Sequence, residues 1–246
     1  MASAQKIHPP KLLRKFRANK KKAPENLRFA ALATDVALFA VFEGALRVLL
    51  VRVNTPPHFV NVWGLPGGLI RADETADEAA RRVLKEKGAV KPSEAHFEQL
   101  YTFSGIRRDP RNRVVSVAYL ALLPAESAEV RGSRRNPEVL WSPVSKIPRL
   151  AYDHSAIVKT ATDRLRGKIA YTNIARGLLP KTFTLTELQY VYETVLGKTF
   201  DKRNFRRKAR EANLVKETGV KRRDGAHRPA EVFAFAHTQP VVVTLL

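Results

Sequence analysis

Two short stretches of this chain carry residue types and spacings suited to chemistry. In 62-VWGLPGGLIRADETADEAARRVLKEKGAV-90, Pro66, Gly67 and Gly68 precede Glu74, Arg82 and Glu86. Adjacent glycines leave a backbone free to adopt positive φ and to approach a phosphate closely. A site that handled phosphates through divalent metals would then want carboxylates three and four residues apart on one helix face. Val83 and Lys87 stand at that spacing instead, with Glu86 between them. The stretch therefore opens as a phosphate site and closes with apolar and basic residues. The second stretch is 201-DKRNFRRKAREANL-214, where Phe205, Ala209, Ala212 and Leu214 can face a core and Lys202, Arg203, Arg206, Arg207 and Arg210 populate the other faces. Arginine reads guanine and asparagine reads adenine in the major groove, so Arg203, Asn204 and Arg207 are candidate base contacts. Lys208, with Arg222 and Arg223 further on, suits phosphates.

The elements that would position these residues can be read from local pattern. Residues 35–53 form two apolar, β-rich runs around Glu43-Gly44, a hairpin signature. A helix is expected over 74–87 with Ala79, Ala80, Val83 and Leu84 on one side, and strands over 95–104, 113–123 and 138–143. Asp77 and Glu78 read as solvated surface. Ile157, Ala161, Leu165 and Ile169 have helical spacing within 154–171. Thr184 and Glu187 are a capping-box pair opening a helix over 185–196 that Gly197 ends, and Asp201 can cap a further helix over 202–214. Residues 215–236 read as two strands around a basic tip with Asp224-Gly225. Three helices followed by a basic hairpin is the element order of a winged helix-turn-helix.

Charge sets the class of partner. The chain of 246 residues has 44 Lys and Arg against 23 Asp and Glu, a net of +21. Residues 1–28 hold nine of the bases and one acid, and 151–246 are again strongly basic, while 29–150 lie near neutral. Basic ends around a near-neutral middle suit a polyanion. With no cysteine, disulfides, thiolate metal sites and cysteine nucleophiles are excluded. No window is apolar enough to cross a membrane as a helix, and no secretory h-region is evident, so a cytoplasmic, nucleoid-associated protein is expected.

The 62–90 stretch resembles the Nudix box. Gly68, Glu74, Arg82, Leu84, Glu86 and Val90 match the family pattern, whereas Val83, Lys87 and Ala89 replace Glu, Glu and Gly. The family's paired glutamates bind the metals that neutralise a pyrophosphate during hydrolysis. Two of three being lost, the resemblance implies pyrophosphohydrolase activity that is absent or vestigial, with no required cofactor and no metal. The run 107-RRDPRNRVVSVAYLALL-123 resembles the substrate-side strand of ADP-ribose-type Nudix domains, so Arg108 and Asp109, with Arg52, Pro66, Gly67, Gly68 and Arg71, are candidate ligand contacts. Any single arginine among them could equally be a solvated surface residue. Residues 178–208 and 226–235 look like the C-terminal domain of Nudix-related transcriptional regulators of the NrtR type, and 152–166 like their linking helix.

The fold class expected is α+β: a Nudix α/β/α sandwich with a mixed sheet over 28–150, a linking helix over 151–175, and a winged helix-turn-helix over 176–238. A basic, disordered tail (1–27) precedes these and a short tail (239–246) follows. The resemblance implies a homodimeric regulator of double-stranded DNA whose Nudix domain senses an ADP-ribose-like nucleotide or a sugar. Two alternatives stay open: an active ADP-ribose-type hydrolase with a basic appendage, and a general RNA- or chromatin-associated basic protein.

Overall fold

The computed structural model describes residues 29–88, 90–129, 138–223 and 229–243. The basic segment 1–27, Ala89, the Asp224-Gly225 turn and residues 244–246 of the expected tail lie outside the described residues.

Strands β1 (Ala31–Phe42) and β2 (Ala45–Thr55) are joined at Glu43 and Gly44, with φ of 47° and 70°. Two consecutive left-handed residues are what a tight two-residue hairpin turn requires. β1 is the pivot of a seven-stranded mixed sheet. It runs parallel to β6 (Val114–Leu122) and antiparallel to β2 and to the short β4 (Gly67–Leu69). β3 (Phe59–Gly64) and β7 (Val139–Pro143) pair with β2, and β5 (His96–Phe103) with β6.

Period-two alternation sends β1 side chains to two separate cores. Val36, Leu38 and Ala40 face helix α1 (Ala76–Gly88) with its Ala80, Val83 and Leu84. Ala37, Phe39 and Val41 face helix α3 (His154–Tyr171) on the other side. A short α2 (Ala125–Glu129) follows β6. α1 starts two residues later than its sequence pattern suggests. Thr75 and Glu78 form the cap, Thr75 Oγ1 accepting the Glu78 N–H at 3.2 Å and Glu78 Oε2 the Thr75 N–H at 2.8 Å. Glu78, expected to be merely solvated, is thus a capping residue.

The C-terminal part comprises β8 (Phe183–Thr184), α4 (Leu185–Leu196), α5 (Lys202–Glu211), β9 (Val215–Arg222) and β10 (Ala230–Phe235). The three strands form a small sheet in the order β8-β10-β9. Thr184 and Glu187 complete the expected capping box, and Gly197 closes α4 at φ 64°. α5 is shorter than the expected 202–214 because Asn213, at φ 51°, turns the chain into β9. The two halves do not have separate interiors. One continuous apolar cluster runs from Phe39 and Leu120 of the sheet through Ile157, Ala161 and Leu165 of α3 to Leu188, Val191 and Tyr192 of α4.

Candidate functional site

A cleft of about 720 Å³ opens beside β1, β2 and β4. That volume is in the range for a nucleotide-sized ligand, roughly 300–1,000 Å³. Asp35 lies in its wall, a charged residue inside the apolar run of β1 and only 5% exposed. Its carboxylate accepts from Ser116 Oγ at 2.6 Å and from Arg108 Nη2 at 3.0 Å, and faces His154 Nε2 at 3.2 Å. The Leu65 N–H donates to His154 Nδ1 at 2.9 Å, so the ring proton sits on Nε2, toward Asp35. Burial alone would raise the Asp35 carboxyl, but His154, Ser116 and Arg108 together hold it well below the usual carboxylate range. Arg108 also binds Asp153 with two parallel bonds, Nε at 3.0 Å and Nη2 at 2.7 Å. Asp153 is the N-cap residue of α3 and His154 its first residue, so the cleft wall and the start of that helix are one ion cluster.

Gly67 and Gly68 differ from the sequence expectation. They form strand β4 rather than a loop, and neither has positive φ. Glycine is needed at 67 for space: a Cβ there would lie 2.0 Å from Asp35 Oδ1. Of the expected ligand contacts, Arg52, Gly67, Gly68, Arg108 and Asp109 line the cleft. Pro66 and Arg71 do not. Pro66 is buried with its carbonyl accepting from the Val36 N–H, and Arg71 extends to Glu86 at 3.6 Å on the surface. Arg52 lies over the Trp63 ring at 3.8 Å and donates to the Asn61 carbonyl at 3.1 Å. The anchors Asp35, Ser116, Asp153 and His154 were missed by sequence reasoning. The one local signal was a carboxylate at the start of an apolar strand.

A divalent metal, which the Nudix resemblance brings with it, does not fit the box as built. Arg82 takes both glutamates, Glu74 through Nε at 2.8 Å and Nη2 at 2.6 Å, and Glu86 through Nη1 at 3.2 Å. Val83 is fully buried in the α1-side core, and the ammonium of Lys87 donates to the Gly67 carbonyl. Among the described residues no group of three acidic or imidazole side chains could hold a metal. The Arg82 bonds and the Arg71 N–H hold the Glu74 carboxyl down at about 2, against an ordinary 4.5. A depressed carboxyl contributes stability above its unfolded pKa, which is lost as pH falls through the folded value. Glu74→Gln is therefore expected to flatten the fall in melting temperature between about pH 4.5 and 2. Thermal unfolding of both proteins across that window checks it, and parallel curves would show that the pair contributes nothing.

The second candidate surface is α5 with the strands behind it. Phe205 and Ala209 are buried, leaving Lys202, Arg203, Asn204 and Arg207 exposed. Asp201 Oδ1 accepts the Asn204 N–H at 2.8 Å, fixing the start of the helix. Arg207 pairs with Glu211 at 2.8 Å and donates to Asn204 Oδ1 at 2.8 Å, while Arg206 donates to Thr186 Oγ1 at 3.0 Å. Arg210 ties the helix to the strands through Glu231 at 3.4 Å. Arg222 binds Glu187 in the α4 capping box, and so braces the strand pair against α4. Lys208 is half-buried, whereas Lys202, Arg203 and Arg223 are exposed.

Comparison with known proteins agrees with this division. The NUDIX domain family matches residues 32–161, and the family described as NrtR DNA-binding winged helix domain matches 175–235. The "ADPR responsive transcriptional repressor NtrR" of Acinetobacter baylyi is 34% identical over 209 residues, 83% of this chain and 82% of that one. An ADP-ribose pyrophosphatase of Methanocaldococcus jannaschii is 30% identical over 124 residues, 50% of this chain and 70% of that one. A crystal structure of Shewanella oneidensis NrtR complexed with a 27mer DNA superposes with a TM-score of 0.73 at 37% identity, covering 83% of this chain and 93% of that one.

Proposed function

Because the chain belongs to the Nudix-related transcriptional regulators of the NrtR type, we propose that it represses transcription by binding operator DNA, and that ADP-ribose in the Nudix cleft controls that binding. The observation that carries the reading is the pairing of a cleft without a usable metal site with an exposed, basic N-terminal half of α5. Helix-turn-helix proteins read the major groove with the first residues of the recognition helix. Arg203 and Asn204 occupy those positions. Exposed cations of β9 and the adjoining turn, including Lys221 and Arg223, supply phosphate contacts. A homodimer would set two such helices against a palindrome. The setting is the cytoplasm, on the nucleoid; among the described residues no helix is long and apolar enough to cross a membrane.

Cleft and reading helix communicate through α3. An anionic ligand competes with Asp153 for the Arg108 guanidinium, and any shift at Asp153 and His154 acts on the first turn of α3. That helix is packed into the same core as α4, and Arg166 donates to the Val195 carbonyl at 3.0 Å. ADP-ribose is expected to weaken operator binding by about 5- to 150-fold, the usual range of allosteric coupling. Asp153→Asn is expected to keep both ligands and lose most of that response. Electrophoretic shifts with DNA upstream of the gene, with and without ADP-ribose, test both statements. Absence of sequence-specific binding at moderate salt would sink the regulator reading, and a full response in Asp153→Asn would sink the route through Arg108.

Hydrolysis is not part of this reading. Among the described residues, Lys87 and the Arg82 pairing of Glu74 and Glu86 leave no carboxylate set to hold the metals that such chemistry uses.

A further inference from the structure

We infer that the ammonium of Lys87 stands in for the divalent metal of the cleft, as a fixed cation that binds the diphosphate of the ligand. The inference rests on the reading of the cleft as a site for a nucleotide-type effector, and adds to it the group that neutralises the charge. Lys87 is an exposed residue whose ammonium reaches across twenty positions to the Gly67 carbonyl, on the strand that edges the cleft. Gly68 is also within reach of the ammonium: a Cβ built there would lie 3.9 Å from Nζ, in ordinary van der Waals contact.

The charge balance of the cleft narrows the choice to two cations, Arg52, which stacks on Trp63 and donates to the Asn61 carbonyl, and Lys87, which reaches the glycine strand. Arg108 is committed to Asp35 and Asp153, and Arg111 to Asp109 at 2.7 Å. Lys87 has no carboxylate partner among the described residues, and its hydrogen bond goes to a neutral carbonyl. The neighbouring Glu86 is turned to Arg82 and Arg71. Desolvation lowers the ammonium below the ordinary lysine value, the mark of a charge not fully compensated by the protein. A diphosphate laid along Gly67 and Gly68 would meet this ammonium first. An ammonium binds phosphate as a point charge and can replace a cation in neutralising it, but it cannot acidify a water molecule as a divalent metal does. The same substitution thus keeps the anion site and removes the hydrolytic one.

The test is calorimetric titration of the full chain with ADP-ribose, in EDTA and in millimolar MgCl2, for the parent, Lys87→Met and Lys87→Arg. The parent affinity is expected to be the same in both buffers. Lys87→Met is expected to bind roughly 10- to 100-fold more weakly, the loss of one charge-assisted contact, with Lys87→Arg recovering much of it. A parent affinity that rises with Mg²⁺, or a Lys87→Met protein as tight as the parent, overturns the inference. The same titrations with inorganic pyrophosphate separate it from the identity of the effector. If ADP-ribose fails to bind but pyrophosphate binds through Lys87, the effector is wrong and the cation site stands. If neither anion responds to Lys87, the cation site is wrong.

Discussion

A chain carrying Asp35→Ala is expected to lose about 3–5 kcal/mol of folding stability, the cost of leaving a buried charge without its partner. Asp35 is the point where three elements meet: Ser116 of β6, Arg108 of the loop that precedes β6 and His154 at the start of α3 all bond to it. Alanine would leave the Arg108 guanidinium, 5% exposed at its side chain, with Asp153 alone, and His154 Nε2 without an acceptor. Set against a typical total of roughly 5–15 kcal/mol, that is a large fraction. It corresponds to a fall of roughly 6–20 °C in melting temperature for a chain of this size. The figure measures the charge left behind, not what an apolar core in its place would contribute. Because the folded Asp35 is held below its ordinary value, its contribution is present above about pH 3.8 and is lost on acidification. Urea unfolding at neutral pH reads the effect. Asp35→Asn, which keeps the shape and one acceptor, is expected to lose less, and an unchanged midpoint in Asp35→Ala would refute the assignment.

The double substitution Arg203→Ala with Asn204→Ala is expected to reduce specific operator affinity roughly 100-fold or more, at about 1–3 kcal/mol for each base contact. Both residues are exposed in the first turn of α5, and neither packs into the core. The fold should therefore be untouched. The side chain of Asn204 also holds Arg207, so its removal frees a second cation near the same surface. Binding to unrelated duplex DNA should change much less, because base-edge contacts carry the specificity and phosphate contacts the background. Fluorescence anisotropy on operator and scrambled duplexes measures both. An equal loss on the two would assign these residues to the phosphates instead.

How much of this was legible beforehand depended on how far apart the partners lie. The α4 helix could be read from the chain because its start and stop are local: Thr184 and Glu187 are three residues apart, and Gly197 ends it. The same holds for the β1–β2 turn. β3 and β4 were not legible, being short and defined only by pairing with β2 and β1. The ion cluster was legible in neither place nor composition, since Arg108 lies 73 residues from Asp35 and Ser116 lies 81. Lys87 could be seen to replace a carboxylate, but not that its ammonium crosses to Gly67. Arg71 and Pro66 show the converse error: closeness in sequence to the glycines did not bring them into the cleft.

The single apolar cluster shared by the sheet, α3 and α4 has a consequence for how such a chain can vary. Segments that merely tether two modules tolerate added or deleted residues, because a flexible connection absorbs the change. α3 is no tether, since one extra residue within it would rotate everything beyond by about 100° and turn Leu165 and Ile169 out of the interior. The spacing between the ligand cleft and the α5 surface is thus as constrained as any core position. Descendants of this chain are free to change side chains along that route, but not its length.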